Sequence, residues 1–383
     1  MRLNHICILA EAYPTADDPL FTFVGQLVHT IADTGYKCSV IAPQSVTKML
    51  IRHRKRRYVH WVDRTRKGNY VDVYQPLFLS FSNLRVFGVG LSHFFKEKAV
   101  KRTFRQILQK PDVIYCHFWH MGIIGAKIGE MSDLPCFVAS GEAEITVLRE
   151  YRIRSLTRFL PRILGVICVS VKNMEESLRL SLTSKEKTVV IPNSVDTNIF
   201  FERDKASIRK ELGIGSRDFV VAFTGGFIER KGVKRLSQAL RKVPDAKAIF
   251  IGTGDQKPSG ENIIFCGRLP HSEVAKYLNA ADIFVLPTLA EGCSNAIVEA
   301  MACGLPIISS NLPFNDDILD EQNSIRIDPK NIDAIADAIR FLKDNPQKRE
   351  KMSKASLLKA QELDIESRAR RIIEFIESKI GES

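Results

Sequence analysis

The chain has 383 residues, 45% of them apolar and 26% charged; this is globular composition, it excludes disorder, and its length calls for two hydrophobic cores rather than one. No apolar run approaches the roughly 20 residues that span a bilayer, and the short run Ile6–Ala10 lacks the length and cleavage site of a signal peptide, so a cytoplasmic protein is expected. The net charge of +12 raises the question of an anionic partner, because excess Lys and Arg attract anions at long range.

In chain order, short apolar strands alternate with longer helical patterns, the signature of a parallel α/β sheet, and they do so twice. Strands are predicted at Ile6–Ala10, Cys38–Ala42, Val71–Tyr74, Val113–Cys116, Cys136–Ala139 and Val166–Val169, with helices near Phe21–Asp33, His93–Gln109, Gly122–Met131 and Asn173–Leu180. A break falls at Val189 to Asp196, where a strand ends in turn chemistry and a charged segment leads to Gly213-Ile214-Gly215. Strands then resume at Val220–Thr224, Ala248–Ile251, Ile263–Cys266, Ile283–Leu286 and Pro306–Ser309, with helices near Val233–Val243, Ser272–Ala280, Asn295–Cys303 and Ile332–Leu342. Beyond about Asn345 the pattern is helical to the end. The expected organisation is a doubly wound domain over 1–190, a second over 191–360, and a C-terminal helix over 361–383 that returns to the first domain. Two such domains facing a cleft would bind ligands beyond the carboxyl ends of their strands.

The eight cysteines are scattered, without a C-x-x-C pair, and read as reduced core residues rather than zinc ligands or disulfides. The cations concentrate in Arg52-His53-Arg54-Lys55-Arg56-Arg57 with Arg64, Arg66 and Lys67, a stretch without strand or helix periodicity. They concentrate again in Arg149, Arg152, Arg154, Arg158 and Arg162, which with Leu148, Tyr151, Ile153, Leu156, Phe159 and Leu160 read as a basic amphipathic helix. Such clusters suit a solvated surface, or an anionic membrane or lipid phosphate, better than nucleic acid.

Two loops of the second half carry chemistry. Phe223 to Gly232 leaves a strand, crosses Gly225 and Gly226 and enters a helix with Arg230 and Lys231 near its start. Glycines let backbone approach a ligand, and the helix start and the two cations favour a diphosphate, although a tight turn beside surface charge has the same pattern. Pro287 to Pro306 places Glu291 after a strand, offers Gly292, Cys293, Ser294 and Asn295 at a helix start, and sets Glu299 within that helix among small and apolar residues. A carboxylate there needs hydrogen-bond donors, either sugar hydroxyls or a neighbouring cation.

Glu291 and Glu299 with Ala300-Met301-Ala302-Cys303-Gly304-Leu305-Pro306 closely resemble the E-x7-E signature of the family-4 retaining glycosyltransferases, whose fold is GT-B, two Rossmann-like domains around a cleft. Ile191-Pro192-Asn193-Ser194-Val195-Asp196, Gly225 to Gly232, Gly267-Arg268 with Tyr277 to Asp282, and Gly35 to Val40 resemble further segments of that family in the right order. The resemblance implies transfer of a sugar from a UDP- or GDP-sugar to a glycan or lipid-linked acceptor, without a metal or other cofactor, in surface polysaccharide or glycoconjugate assembly. Arg230 and Lys231 would hold the donor diphosphate, Glu299 the ribose hydroxyls, Glu291 the transferred sugar, and Gly292, Cys293 and Ser294 would donate to sugar and phosphate. A nucleotide-sugar epimerase and a catalytically silent partner are the alternatives.

Gly226 stands where the family commonly has Arg, leaving Arg268 or Arg230 to substitute. Ser140-Gly141-Glu142-Ala143-Glu144 stands where it often has His before Gly, so Ser140 supplies no imidazole; Glu142 or Glu144 faces the ligands, or these carboxylates only decorate a helix start. His117, His120 and Asn193 are further cleft candidates. The family's glycine after the first strand is absent, with Phe21 and Phe23 in that region.

Overall fold

The computed structural model describes residues 3–15, 21–51, 56–81, 84–86, 89–151 and 153–382. The chain divides into two compact units, residues 1–191 with 369–383 and residues 192–368.

Unit 1 is built on eight strands: β1 His5–Leu9, β2 Lys37–Ile41, β3 His60–Arg64, β4 Tyr70–Tyr74, β5 Val113–His117, β6 Cys136–Ser140, β7 Ile163–Cys168 and β8 Thr188–Val190. Their order is β8-β7-β6-β5-β1-β2-β4-β3, parallel throughout except for β3, which runs antiparallel to β4 at the edge. Every residue of β1, β5 and β6 is buried, because helices cover both faces and central parallel strands read as continuous apolar runs. The twofold alternation then sorts them. Ile6 and Ile8 join Val24, Leu27 and Val28 of helix α1 (Thr22–Asp33) on one face, where Ile372 and Ile376 of the C-terminal helix also pack. Cys7 and Leu9 join Ile124 and Ile128 of the helix Trp119–Ser132 on the other.

Unit 2 carries β9 Phe219–Thr224, β10 Ala246–Ile251, β11 Ile263–Gly267, β12 Ile283–Leu286, β13 Ile307–Ser310 and β14 Ser324–Ile327, all parallel in the order β11-β10-β9-β12-β13-β14. This is the dinucleotide-fold order, with its reversal between β9 and β12. Both units are doubly wound.

Several expectations need correction. The basic stretch 149–162 is not one amphipathic helix: it breaks into short turns at Val147–Arg149, Ile153–Leu156 and Leu160–Arg162, the last containing Pro161, which no helix interior accepts. Arg149 pairs with Glu144, Arg158 with Glu130 at 2.6 Å and Arg162 with Asp133 at 3.0 Å, so much of that charge is neutralised within unit 1; Arg152 lies outside the described residues. Of the first basic cluster, residues 52–55 lie outside the described residues, and Arg64 ends a strand rather than sitting in an unpatterned loop. The helix expected over His93–Gln109 spans Leu91–Phe104. The charged segment before Gly213 is a helix, Lys205–Leu212, capped by the Asp204 carboxylate and closed by Gly213 at φ 68, both ordinary terminal signals. Cys266 is exposed on β11 at the sheet edge, while the other seven cysteines are buried and free.

Candidate active site

The two informative loops of unit 2 follow β9 and β12, the strands on either side of the reversal, where doubly wound sheets bind ligands. The first loop leaves β9 at Thr224 and runs to Gly232, where the helix Val233–Arg241 begins. Arg230 and Lys231 lie in a 3-10 turn ahead of that helix, Glu229–Lys231, rather than inside it. Gly232 has φ 77, and a Cβ there would come within 2.3 Å of the Pro287 carbonyl oxygen. Only glycine closes that contact between the two loops. Leu289 N–H donates to the Arg230 carbonyl at 2.8 Å, a second stitch. The floor is the turn after β10, where Gly252 lies so close that a Cβ would fall 1.9 Å from the Gly225 carbonyl.

This stitching brings Lys231, Arg230 and Glu291 together. Glu291 is 8% exposed; its Oε1 accepts from Lys231 Nζ at 2.5 Å and from Thr288 Oγ1 at 2.9 Å, and its Oε2 lies 3.2 Å from Arg230 Nη1. Arg230 also donates to the Ala290 carbonyl. Two cations share one carboxylate, so the cluster keeps a net positive charge next to the start of the helix Asn295–Ala302. Gly292, Cys293 and Ser294 are buried there. The Ser294 side chain makes no capping bond, and Ser294 Oγ, Asn295 Oδ1 and Thr224 Oγ1 are buried without a partner. Buried polar atoms left unpaired are costly in a finished core and suit a site that awaits a ligand. Burial pushes the Cys293 thiol up to about 12, which makes it a packing residue and not a nucleophile. Asn193 is buried, with Nδ2 donating to the Cys293 carbonyl at 2.9 Å, so within this unit it braces the loop.

Glu299 lies one turn into Asn295–Ala302, half-buried, with Oε1 2.9 Å from His271 Nε2. This is the neighbouring-cation arrangement weighed against sugar hydroxyls. Nothing in the E-x7-E spacing pointed to His271, which opens a different helix, His271–Ala280. Gly226 leaves room for a side chain, since a Cβ placed there would meet nothing nearer than 3.9 Å, and Arg268 is exposed after β11; neither joins the Lys231–Glu291 cluster.

In unit 1 the reversal falls between β1 and β5. His117 ends β5, buried against the edges of Phe23 and Tyr115. Phe118 follows at φ 74, and Phe21 sits at φ 65 in the region where glycine was missing. Each of these positive-φ phenylalanines costs about 1–3 kcal/mol, and the two rings pack 5.9 Å apart. His120 is half-buried, its pKa lowered by burial against the pull of Glu11. Glu11, after β1, is bound by Lys96 at 2.7 Å; neither stood out in the sequence, because they are 85 residues apart.

Glu142 does not decorate its own helix. Its carboxylate reaches the start of Trp119–Ser132, accepting from Trp119 N at 2.5 Å, Gly141 N at 2.9 Å and Ser140 Oγ at 3.2 Å. Ser140 is thereby engaged, and Glu144 is tied to Arg149. Burial outweighs these bonds and pushes Glu142 from 4.5 up to about 7. Because the folded value is the higher, its contribution to stability is full below about pH 4.5 and is lost as pH rises through about 7. That loss is on the order of 3 kcal/mol. Denaturant titrations from pH 4.5 to 8 are expected to show this decline in the wild type and a flatter profile in Glu142→Gln; parallel profiles would refute it.

Among the described residues no group of three or more His, Cys, Asp or Glu could hold a metal ion, and no helix is long and apolar enough to cross a membrane. Two doubly wound units are the GT-B fold. Residues 204–359 match the family described as glycosyl transferases group 1. This match, the glycosyltransferase relatives and the fold together support a group 1 glycosyltransferase enzyme. It is 28% identical over 346 residues to TuaC of Bacillus subtilis (strain 168), named for teichuronic acid biosynthesis, covering 86% of this chain and 87% of that protein. It is 24% identical over 257 residues to an Escherichia coli UDP-Gal:alpha-D-GlcNAc-diphosphoundecaprenol alpha-1,3-galactosyltransferase, 60% of this chain and 66% of that one. In fold it is similar to the sucrose-phosphate synthase of Thermosynechococcus elongatus, with TM-score 0.79 at 17% identity over 99% of this chain and 100% of that one. Anabaena HepE in complex with UDP-glucose gives TM-score 0.71 at 17% identity over 98% and 99%.

Proposed function

We propose that unit 2 binds a UDP- or GDP-sugar and that the enzyme transfers the sugar, with retention, to a glycan or lipid-linked acceptor in surface polysaccharide assembly. The observation that carries the donor site is the Lys231–Arg230–Glu291 cluster beside the unpartnered Ser294 hydroxyl. Arg230 and Lys231 receive the diphosphate, and their charge stabilises it as it leaves. Glu291 contacts the transferred sugar, Glu299 the ribose, and the loop Gly292–Asn295, with Gly225 and Gly226, lines the phosphates. No metal is required for a leaving group already met by two cations. In support, HepE was solved with UDP-glucose and the Escherichia coli relative is named for a UDP-linked donor and a diphosphoundecaprenol acceptor.

The acceptor belongs to unit 1. His117, His120, Ser140 and Glu142 lie at the carboxyl ends of its strands, and Glu11 with Lys96 adds a donor and acceptor pair for sugar hydroxyls. Exposed Leu50, Ile51 and Tyr58 flank the basic stretch 52–57, which supports a peripheral position on an anionic, cytoplasmic membrane face; sedimentation with anionic vesicles that is insensitive to salt would exclude an electrostatic docking.

The test is thermal stabilisation by UDP, GDP, ADP and their hexose derivatives, since ligand selective for the folded state raises Tm. A shift with one nucleotide family, and release of that nucleoside diphosphate only with acceptor present, is expected. Interconversion of the free sugar nucleotide would instead indicate an epimerase, and no shift with any nucleotide a silent partner.

A further inference from the structure

We propose that His271 is a positioning residue for the nucleotide: it holds one oxygen of Glu299 so that the other is presented to the ribose hydroxyls. This rests on the reading of Glu299 as the ribose-binding carboxylate.

The geometry is local to unit 2. His271 is the first residue of its helix, and its ring meets the edge of Phe200 at 5.0 Å and 63°. Phe200 is 1% exposed, so the imidazole stands against a fixed wall. From there Nε2 reaches Glu299 Oε1 at 2.9 Å, across from the helix Asn295–Ala302. Glu299 Oε2 makes no hydrogen bond among the described residues, and the side chain keeps 13% exposure. One oxygen is therefore committed and the other is open. An unheld glutamate side chain has about 1.5–2 kcal/mol of rotamer entropy to lose when a ligand immobilises it; a carboxylate already clamped loses less.

The clamp also answers a charge problem. Glu299 sits among Ala296, Val298 and Ala300, where an ionised carboxylate needs a partner. The charged groups facing His271 are Glu299 from the neighbouring helix and Asp196 from the segment that precedes the helix Lys205–Leu212. Burial disfavours the imidazolium, but the bond to Glu299 and the two negative charges prevail and raise its pKa above 6.5. Below that raised value the pair is an ion pair; above it a neutral imidazole keeps only the weaker bond. Ribose affinity should therefore decline as pH rises through the pKa of His271.

The readout is discrimination between a ribonucleotide and its 2′-deoxy form, measured by calorimetry with UDP against 2′-deoxy-UDP and GDP against 2′-deoxy-GDP. The wild type is expected to prefer the ribonucleotide by at least about tenfold, ~1.4 kcal/mol. His271→Ala should bring that ratio close to 1, because a free Glu299 no longer aims at the hydroxyls, and His271→Gln should restore most of it through its amide. The preference of the wild type should weaken between pH 6 and pH 9, and that of His271→Gln should not. A ratio unchanged in His271→Ala, with Glu299→Ala abolishing it, overturns the role of His271 and leaves the ribose reading intact. A ratio unchanged in Glu299→Ala overturns the ribose reading itself. Should His271→Ala fail to fold, the pH profile of His271→Gln against wild type decides: equal slopes overturn the proposal.

Discussion

Lys231→Ala is expected to lower transferase turnover by roughly 100- to 1,000-fold, the loss seen when one preorganised group that meets developing charge is removed, about 2.7–4 kcal/mol. Lys231 Nζ lies 2.5 Å from Glu291 Oε1 with its side chain 15% exposed, so it is held in place and largely desolvated. A charge kept there by the fold costs no reorganisation when the diphosphate departs. The variant should still fold. Glu291 retains Arg230 at 3.2 Å and the Thr288 hydroxyl at 2.9 Å, so its carboxylate is not abandoned in the interior. Turnover at saturating donor, read beside the melting temperature, separates the two effects; turnover within tenfold of wild type in the folded variant would remove Lys231 from the catalytic set. Lys231→Arg should recover only part, since a planar guanidinium does not replace a compact ammonium at a site already shared with Arg230.

Asp282→Ala is expected to destabilise unit 2 by about 3–5 kcal/mol, the cost of leaving a buried charge without its partner. Arg209 is 5% exposed. Its guanidinium donates to the carbonyls of Ala280 at 2.9 Å, Ser216 at 3.3 Å and Asp218 at 3.0 Å, and to Asp282 Oδ2 at 2.7 Å. Asp282 Oδ2 also accepts from Val220 N at 2.7 Å, at the start of β9, and Oδ1 from Lys205 at 3.1 Å. One carboxylate thus ties the helix Lys205–Leu212 to the sheet. At roughly 2–4 °C per kcal/mol for a domain of this size, calorimetry should show a drop of about 6–20 °C. Replacing both partners, Arg209→Met with Asp282→Leu, should return only part of it, because the charge is no longer orphaned but Val220 N–H and the carbonyls that Arg209 served lose their partners. A loss below about 1 kcal/mol in Asp282→Ala would mean that water reaches Arg209 and the pair is not truly buried.

The Asp282 case separates two kinds of information in one motif. Tyr277 to Asp282 belongs to the family pattern, yet its aspartate sits under β9 as a structural tie, away from the cation cluster. Arg209, the other half of that tie, is hidden in a segment that reads as merely charged, because a buried guanidinium looks like a surface one until its acceptors are known. The same reason hides His271, 28 residues before Glu299, and Lys96, which meets Glu11 only through the fold. The basic stretch at 149–162 fails in the opposite sense. Apolar and basic residues alternate as in an amphipathic helix, but Pro161 interrupts the stretch, and three of its arginines pair with acidic side chains instead of facing solvent alone.

By itself the sequence determined the strand and helix alternation, the doubly wound class and the segments after two strands that hold Lys231, Glu291 and Glu299. These depend on local periodicity and on which residues can end a strand, turn on glycine and start a helix, all properties of neighbours along the chain. Only the tertiary structure decided which charges face one another: Glu291 between two cations, Glu299 against His271, Glu142 across to Trp119, and Asp282 beneath Arg209. Partner choice depends on which elements the sheet order makes adjacent and on what burial leaves unsolvated, and neither is a property of a neighbourhood in sequence.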